Sequence, residues 1–371
     1  MANNALGLIF TNLHEENVPE LVRFRTMASI PFGGRYRLID FALSNMVNSG
    51  ITTVGLMTTN NYRSLIDHIG SGKDWDLARK DGGLILLPPF SEKTDKMYST
   101  RLEALSSLTG FLSRRNEKYI VLADCDGVAK FDIADIIEYH ESKNADITLV
   151  THYGTVGNRS DFMLVGANED GRVTDVKLTP HVPKGTKADI FVNYMVVNRQ
   201  FLLNMVEDFV SHGYTSFEAD LLAKQVNSLK LYRYDFKGHY SGIDSMAAYY
   251  RHNMALLNKE VRDELFGDRN VYTKVRDSAP SKYGEEAVVK NSLISDGCEI
   301  HGVVENSILF RGVKVEKGAV VRNSIIMQDN IIGANTTLDC VITDKNVVIS
   351  DTKSLSGCAA LPFFIQKGTR L

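Results

Sequence analysis

The 371-residue chain lacks the features that mark several special classes of protein. Its charges nearly cancel, with 42 Lys and Arg against 45 Asp and Glu, so no positive excess favours binding to nucleic acid or anionic membrane. Its four cysteines show no C-x-x-C spacing, which is typical of reduced, buried thiols in the cytoplasm. No apolar run approaches the roughly 18 residues of a membrane span, and no basic segment precedes the apolar run at the amino terminus. We therefore expect a cytoplasmic protein that binds neither nucleic acid nor membrane.

The length predicts two or three domains, and the sequence pattern changes near residue 266. Before that point short apolar strands alternate with segments of helical period, which predicts an α/β domain (1–265) with a Rossmann-like, mostly parallel sheet. A loop-rich linker is expected over 266–286, and a separate domain over 287–371. Parallel sheets bind ligands at the carboxyl ends of their strands, so we expect the functional site there.

One heptamer pattern occurs three times in the last third of the chain, at spacings of 15 and 17 residues. Each copy has two valines, a variable residue, Asn-Ser and two aliphatic residues: Val288–Ile294, Val303–Leu309 and Val320–Ile326. Repeats of this length predict a parallel β-helix, in which each coil buries its apolar residues against the next. The alternative is an antiparallel β-sandwich, but a sandwich gives no reason for Asn-Ser to repeat at one offset.

The segment PFGGRYRLIDFALSN, residues 31–45, is the most distinctive motif. Its glycines permit backbone conformations that other residues avoid, and a helix is predicted over Tyr36–Ser49. Arg35 and Arg37 flank the turn that opens this helix, and are either phosphate-binding groups or solvated surface residues. With the NSGI that follows at 48–51, the segment resembles the signature of glucose-1-phosphate adenylyltransferase (ADP-glucose pyrophosphorylase).

This resemblance covers almost the whole chain, because the β-helical last third fits the same family. It implies a sugar-nucleotide transferase domain fused to a left-handed β-helix, assembled as a tetramer in glycogen synthesis. The family makes ADP-glucose and pyrophosphate from ATP and glucose 1-phosphate.

The catalytic motifs of that family are largely missing here. Its glycine-rich phosphate loop, GGxGTRL, is replaced by Phe10–Glu16, which has no glycine or arginine and carries two acids that would repel a triphosphate. The family's lysine in Arg-Ala-Lys-Pro-Ala falls on Met27. The lysine that holds the phosphate of glucose 1-phosphate falls on Thr179. The small residues of the nucleotide site correspond to the bulkier Ser99–Ala104.

The resemblance also implies a magnesium site built from two aspartates at strand ends. Asp126 matches the first aspartate, and Gly242 stands at the position of the second. Asp244, two residues later, is expected to be the N-cap of the following helix. Asp126 is thus either a retained metal ligand or a structural acid, and Mg²⁺ is expected in a catalytic partner rather than in this chain.

An allosteric anion site lies between the two domains in this family. Arg25 and Arg37 match two of its basic residues, whereas Phe24 stands where a lysine is expected. If both arginines are only surface charges, the anion site is lost as well.

Three functions remain open on this pattern. The first is a regulatory, catalytically deficient GlgD-type subunit in a heterotetramer with a catalytic homologue, or in a homo-oligomer, whose pocket could hold a sugar phosphate or nucleotide sugar. The second is an active nucleotidyltransferase in which His14, Arg23 or Arg25 serve the phosphates. The third is a β-helical acyltransferase, whose histidine base would have to be His301, the only histidine from Val288 onward.

Overall fold

The computed structural model describes residues 4–88, 98–156, 162–178, 182–183 and 185–371. In this part of the chain an α/β domain is followed by a left-handed parallel β-helix, as the sequence predicts.

Strands and helices alternate through the first domain. Its strands are β1 (Ala5–Phe10), β2 (Pro31–Phe32), β3 (Tyr36–Arg37), β4 (Thr53–Met57), β5 (Gly83–Leu87), β6 (Tyr119–Asp124), β7 (Gly127–Ala129), β8 (Ile147–Thr155), β9 (Met163–Ala167), β10 (Val173–Leu178), β11 (Lys187–Asn198), β12 (Leu231–Phe236) and β13 (Tyr240–Gly242). Its helices are α1 (Pro19–Val22), α2 (Leu38–Asn48), α3 (Arg63–Ile69), α4 (Arg101–Ser107), α5 (Thr109–Ser113), α6 (Ile133–Ser142), α7 (Arg199–Ser211), α8 (Met246–Ala255) and α9 (Lys259–Phe266), with a π-helical segment at Phe217–Ala223. None of these helices in the described ranges is long and apolar enough to cross a membrane.

The central sheet places the ends of its parallel strands side by side. Its order is β10-β9-β11-β6-β1-β4-β5, with β8 beside β11 and β12 beside β8. The strands β6, β1, β4 and β5 are parallel, whereas β11 runs antiparallel to β6. Alternate residues of β1 enter two different cores: Ile9 packs on one face, and Leu8 and Phe10 on the other. Because Phe10 pairs with Asp124, the carboxyl ends of β1 and β6 meet at one edge.

Short strands in a repeating order build the β-helix. In chain order they are β14 (Lys282–Tyr283), β15 (Val288–Lys290), β16 (Leu293–Ile294), β17 (Glu299–Ile300), β18 (Val303–Glu305), β19 (Ile308–Leu309), β20 (Lys314–Val315), β21 (Val320–Arg322), β22 (Ile325–Ile326), β23 (Ile331–Ile332), β24 (Thr337–Asp339), β25 (Val341–Thr343), β26 (Val348–Ile349), β27 (Ser354–Ser356) and β28 (Phe363–Ile365). Every third strand joins the same parallel sheet, which gives three sheets of five strands. The first strand lies inside the segment predicted as a linker, because the backbone of Lys282–Tyr283 pairs with β17.

The repeated Asn-Ser pair forms a corner between two faces of the β-helix. The asparagines of the three repeats have φ between 42° and 46°, a left-handed conformation that asparagine tolerates better than most residues. The side-chain amide of Asn291 donates to Oδ1 of Asn306 at 2.8 Å, and the Ser307 N–H donates to Oγ of Ser292 at 3.1 Å. Side-chain hydrogen bonds therefore link coil to coil along the corner. This ladder explains the repeated offset and excludes the β-sandwich.

One face of the β-helix packs on the first domain. Phe310 and Ile342 belong to the same buried core as Ile9 on the sheet. At the contact the Ser295 hydroxyl donates to the Gly34 carbonyl at 2.9 Å. Gly34 has φ +85°, and a Cβ there would lie 2.9 Å from Oγ of Ser295, so the glycine in the PFGG turn permits this approach.

Two predicted helix starts are shifted in the structure. The helix predicted over Tyr36–Ser49 begins at Leu38, because Tyr36–Arg37 pairs with Pro31–Phe32 as a hairpin. The N-cap of α8 is Ser245 and not Asp244, since the Ser245 hydroxyl accepts the N–H of Ala248 at 3.1 Å. The expectation for Asp244 was wrong by one residue.

Replacing Ser324 by alanine tests the corner ladder. The Ser324 hydroxyl accepts the backbone N–H of Val341 at 3.1 Å, and both residues are fully buried. The unpaired N–H should lower the free energy of unfolding by about 1–3 kcal/mol. Ser292→Ala is the matched comparison in the half-buried first repeat, where the hydroxyl accepts the Ser307 N–H, and should lower the free energy of unfolding by less than Ser324→Ala does. Chemical denaturation measures both; equal losses would contradict a ladder that depends on burial.

Candidate functional site

A cleft of about 470 Å³ opens at the carboxyl ends of β1 and β6. The loop after β1 supplies Asn12 and His14, and α4 supplies Arg101 at its first position. Asn193 from β11 and Glu218 from the π-helical segment also line it, and the other polar lining residues are Glu16, Ser99, Thr100 and Ser216. This is the edge at which the sheet topology predicts a ligand site.

A network of charged side chains crosses the floor of the cleft. The guanidinium of Arg101 donates to Oδ2 of Asp124 at 2.6 Å and also bonds Glu218. The imidazole of His14 lies 2.9 Å from the same Asp124 oxygen. Burial by itself would raise the pKa of Asp124, but the neighbouring Arg101 and His14 hold that pKa below its usual value. Asp124 is therefore an ionised carboxylate that is already neutralised by the protein.

Asp126 lies two residues further along, in the tight turn between β6 and β7. A β-bulge in β11 gives Asn193 a φ of 58° and directs its amide to Oδ2 of Asp126 at 2.7 Å. Strand β13 places Gly242 opposite Gly127, and the Ile243 N–H donates to the Asp126 carbonyl at 2.7 Å. Position 242 is therefore close to Asp126 along the chain pairing, and its alignment with a second aspartate stays a prediction.

The residues present do not fit the magnesium site that the family resemblance implies. Gly242 offers no oxygen ligand from a side chain, and Asn193 already donates to Asp126. The nearest other carboxylate, Asp124, is bonded by Arg101. Mg²⁺ requires oxygen ligands in octahedral geometry and is repelled by a guanidinium on the same carboxylate.

An acid stands where the family carries its phosphate loop. Oε1 of Glu15 accepts the Asn12 amide at 2.7 Å and the Met27 backbone N–H at 3.3 Å. Burial raises the pKa of Glu15 to about 7, against the lowering effect of those two hydrogen bonds and with a further increase from Glu16. Met27 itself is fully buried in the apolar core, so its side chain replaces the family's lysine with packing rather than charge.

The sugar-phosphate side of the cleft is apolar where it is described. Thr179, at the family's second lysine, lies outside the described residues. Its neighbour Leu178 lines the cleft together with Phe162, Met163 and Phe191. None of these four side chains can pair with a phosphate.

The predicted anion-site residue Arg25 is buried between the two domains. Its Nη2 donates to both carboxylate oxygens of Asp344 in the β-helix, at 2.6 and 2.8 Å. Both side chains are almost inaccessible to water, with 2% and 1% exposed. Arg25 is thus not a plain surface charge, and its pair with Asp344 fastens the loop after α1 to the β-helix.

Arg37 lies beside the same interface. Its guanidinium donates to the carbonyl oxygen of Ser64 at 2.6 Å. Burial lowers the pKa of Arg37 to about 10, and the charges of Arg25 and Arg276 lower it further, whereas Asp40 and Asp67 oppose the change. Lys345 follows Asp344 in the chain. Burial lowers the pKa of the Lys345 amine to about 6, and the charges of Arg37, Arg25 and Arg276 lower it further, against Asp344. Three arginines thus face Asp344, Asp40 and Asp67, and the positive groups exceed the negative ones only when Lys345 is protonated.

The residues that an active nucleotidyltransferase or a β-helical acyltransferase would use here make other contacts. Arg23 is exposed and donates to Gln366 at 3.2 Å, while His14 and Arg25 are held by Asp124 and Asp344. His301 lies on the second coil, against Gly284 of the first, where a Cβ would come within 2.4 Å of the His301 Nδ1.

Comparison with known proteins assigns the chain to a family. A model of the nucleotidyl transferase family matches residues 21–263, and a model of the GlmU-like C-terminal hexapeptide family matches residues 278–356. Glycogen biosynthesis protein GlgD of Geobacillus stearothermophilus is 37% identical over 100% of this chain and 98% of its own length. GlgD of Bacillus subtilis is 32% identical over 99% and 96% of the two chains. Glucose-1-phosphate adenylyltransferase of Clostridium perfringens is 34% identical over 82% and 78%.

This chain belongs to the glucose-1-phosphate adenylyltransferase and GlgD family. The resemblance found in the PFGG segment and in the repeats is therefore confirmed.

The family motifs indicated which residues differ from the family pattern, but they did not identify the residues that line the cleft instead. Arg101 falls within 99–104, which aligns with small nucleotide-site residues of the family, so its larger side chain was the one sign of a change at this position. Asn193 and Glu218 do not belong to any motif. Asp344 and Lys345 lie in the β-helix after the three repeats, where the chain gives no local sign that they face Arg25.

The pair of Arg25 and Asp344 should behave as one unit in stability measurements. Arg25→Met and Asp344→Asn each leave a buried charge without its partner, and each should cost about 3–5 kcal/mol of unfolding free energy. The double variant Arg25→Met/Asp344→Asn should cost far less than the sum, because neither charge of the pair remains buried. Arg23→Met, at an exposed position, is the control and should change stability by less than about 0.5 kcal/mol. Additive losses in chemical denaturation would show that the two side chains do not depend on each other.

Proposed function

We propose that this chain is a regulatory, catalytically deficient subunit of a bacterial ADP-glucose pyrophosphorylase in glycogen biosynthesis. It assembles with a catalytic homologue in a mixed tetramer and changes the kinetics of that partner. The full-length similarity to proteins named for glycogen biosynthesis supports the pathway.

The observation that carries this proposal is the neutralised cleft. Nucleotidyl transfer needs positive groups on the phosphates as charge develops on departing pyrophosphate. Here Arg101 is bonded by Asp124 and Glu218, and Glu15 stands at the phosphate loop. Each lost cation costs about 2.7–4 kcal/mol of transition-state stabilisation, roughly a hundredfold to a thousandfold in rate. Their combined absence leaves the chain nearly inactive on its own, even when the losses are not additive.

Such a subunit regulates its partner through contacts between subunits and not by catalysing the reaction itself. The framework that positions the two domains is intact, including the shared core and the bond of Arg25 to Asp344. A regulatory subunit that binds one conformation of the catalytic subunit more tightly shifts the catalytic subunit towards that conformation. The coupling free energy of such effects is about 1–3 kcal/mol.

The positive junction between the domains is the proposed place for a regulatory anion. Arg25 and Arg37 flank it, Arg276 adds charge from the segment before the β-helix, and Lys345 becomes a fourth cation when it is protonated. A small dianion such as sulfate or a sugar phosphate is the ligand class that these basic groups favour.

Kinetics of the chain alone and in a mixture test the regulatory role. The purified chain should form ADP-glucose from ATP, glucose 1-phosphate and Mg²⁺ at least about a hundredfold more slowly than a catalytic homologue. Co-expression should yield a mixed tetramer by sizing, with kcat or KM different from that of the homologue alone. The reason is that, in the part of the cleft that the structure describes, Arg101 and His14 are already bonded to carboxylates, whereas the α/β domain and the β-helix share a packed core.

The matched control is a mixture in which the catalytic partner carries alanine for its phosphate-loop arginine. Activity that persists in this mixture comes from the present chain. Such activity, robust turnover by the chain alone, or failure to form a mixed complex would each overturn the proposal.

The Lys345 amine predicts how anion binding depends on pH. With a pKa of about 6 it is mostly neutral at pH 8, and a bound sulfate favours its protonated form. Binding should therefore take up a proton and become tighter as the pH falls from about 8 to about 6. Calorimetric titration with sulfate, which does not titrate in this range, measures both effects.

Lys345→Gln is the control for this titration. It should retain binding through the arginines but lose most of the change in affinity with pH. An affinity for sulfate that is unaffected by pH in the native chain, or equally affected in Lys345→Gln, would contradict the role of this amine.

A further inference from the structure

The cleft contains a set of potential metal-ligand atoms. His14, Asp124 and Asp126 each place one ligand atom within 4.8 Å of the others. Within the described residues, no other group of three His, Cys, Asp or Glu side chains meets so closely. Imidazole and carboxylate donors together are typical of sites for divalent transition metals.

A positive charge already occupies this set of ligands. Nη2 of Arg101 lies 2.6 Å from the Asp124 oxygen that faces His14. The other terminal nitrogen bonds Glu218, and the guanidinium lies 5.4 Å from the centre of the Phe10 ring. Only 3% of the Arg101 side chain is exposed, and arginine remains protonated in proteins. The guanidinium is a permanent cation with a fixed position.

We propose that Arg101 is the resident cation of this cleft and takes the place of a divalent metal ion. It neutralises Asp124 and ties that residue to Glu218, so the native chain neither needs nor admits a metal there. When the guanidinium is removed, His14, Asp124 and Asp126 become an open site for a transition metal. This inference goes beyond the regulatory role and does not rest on it, because it concerns what occupies the cleft and not what the subunit does to a partner.

The geometry leaves no room for both cations. A metal on Asp124 would lie a few ångströms from the guanidinium in a buried region where water screens little. Arg101 cannot move away into solvent, because Phe10 covers one side and Glu218 anchors its outer nitrogen. The other carboxylate oxygen of Asp124 is buried without a hydrogen-bond partner, so a ligand atom is ready once the competing charge is gone.

Titration of the full-length chain with Mn²⁺, followed by electron paramagnetic resonance, tests the proposal. The native chain should show no saturable Mn²⁺ binding, and its unfolding temperature should be the same with Mn²⁺ and with a chelator. Arg101→Met should bind Mn²⁺ at least about tenfold more tightly than the native chain, a change of the size that groups around metal ligands cause. Arg101→Met/Asp126→Asn should lose that gain. Arg115→Met removes another ion-paired arginine and should not gain a site.

Glu218→Gln provides a second test that does not bury an unpaired carboxylate. Glu218 is 28% exposed and anchors only the outer end of the guanidinium, so this variant should fold, keep Arg101 on Asp124 and, like the native chain, show no saturable Mn²⁺ binding. Saturable Mn²⁺ binding by the native chain that Asp126→Asn abolishes would overturn the proposal. So would a folded Arg101→Met protein that fails to gain binding, or a Glu218→Gln protein that binds Mn²⁺ as tightly as Arg101→Met. None of these outcomes depends on ADP-glucose synthesis, so they are distinct from failure of the regulatory role.

Discussion

The arrangement of this protein depends on the contact of one β-helix face with the α/β domain. Apolar side chains of that face, including Phe310 and Ile342, complete a core that the sheet begins with Ile9. Removing such side chains from water is the main favourable free energy at the junction. The ion pair of Arg25 and Asp344 lies beside this core and links the α/β domain to the β-helix. Desolvating both charges is costly, so their value lies in specifying one orientation rather than in added stability.

Helix α8 contacts the β-helix directly, because its Tyr250 hydroxyl donates to the Asn323 carbonyl at 2.6 Å. The two polar regions of the molecule differ in how their charges are matched. In the cleft, Arg101 pairs with Asp124 and Glu218 within the chain. At the junction between the domains, basic and acidic groups are equal in number until Lys345 takes up a proton. The charge of the junction therefore depends on pH.

Local patterns in the sequence predicted the fold well, because local physics determines it. The left-handed backbone at each Asn-Ser corner and the alternation of strands and helices are properties of short segments. The motifs also led to the prediction that several catalytic groups are replaced, which stays a prediction. The replacing contacts were not predictable, because they join distant positions: Arg101 and Glu218 are 117 residues apart, and Arg25 and Asp344 are 319 apart. No short segment of the sequence reveals that these charges meet. The N-cap of α8 was also not predictable, because the choice between Asp244 and Ser245 depends on which side chain reaches the first backbone N–H groups of the helix.

The Asn-Ser corner has a mechanical consequence. Hydrogen bonds connect each coil to the next on three sheets and again along the corner, so stretching or bending the β-helix would break several ladders at once. A body built in this way resists bending. Because its side packs on the α/β domain from Ile308 through Ile325 to Ile342, a change of angle between the domains would have to open that shared core along several coils.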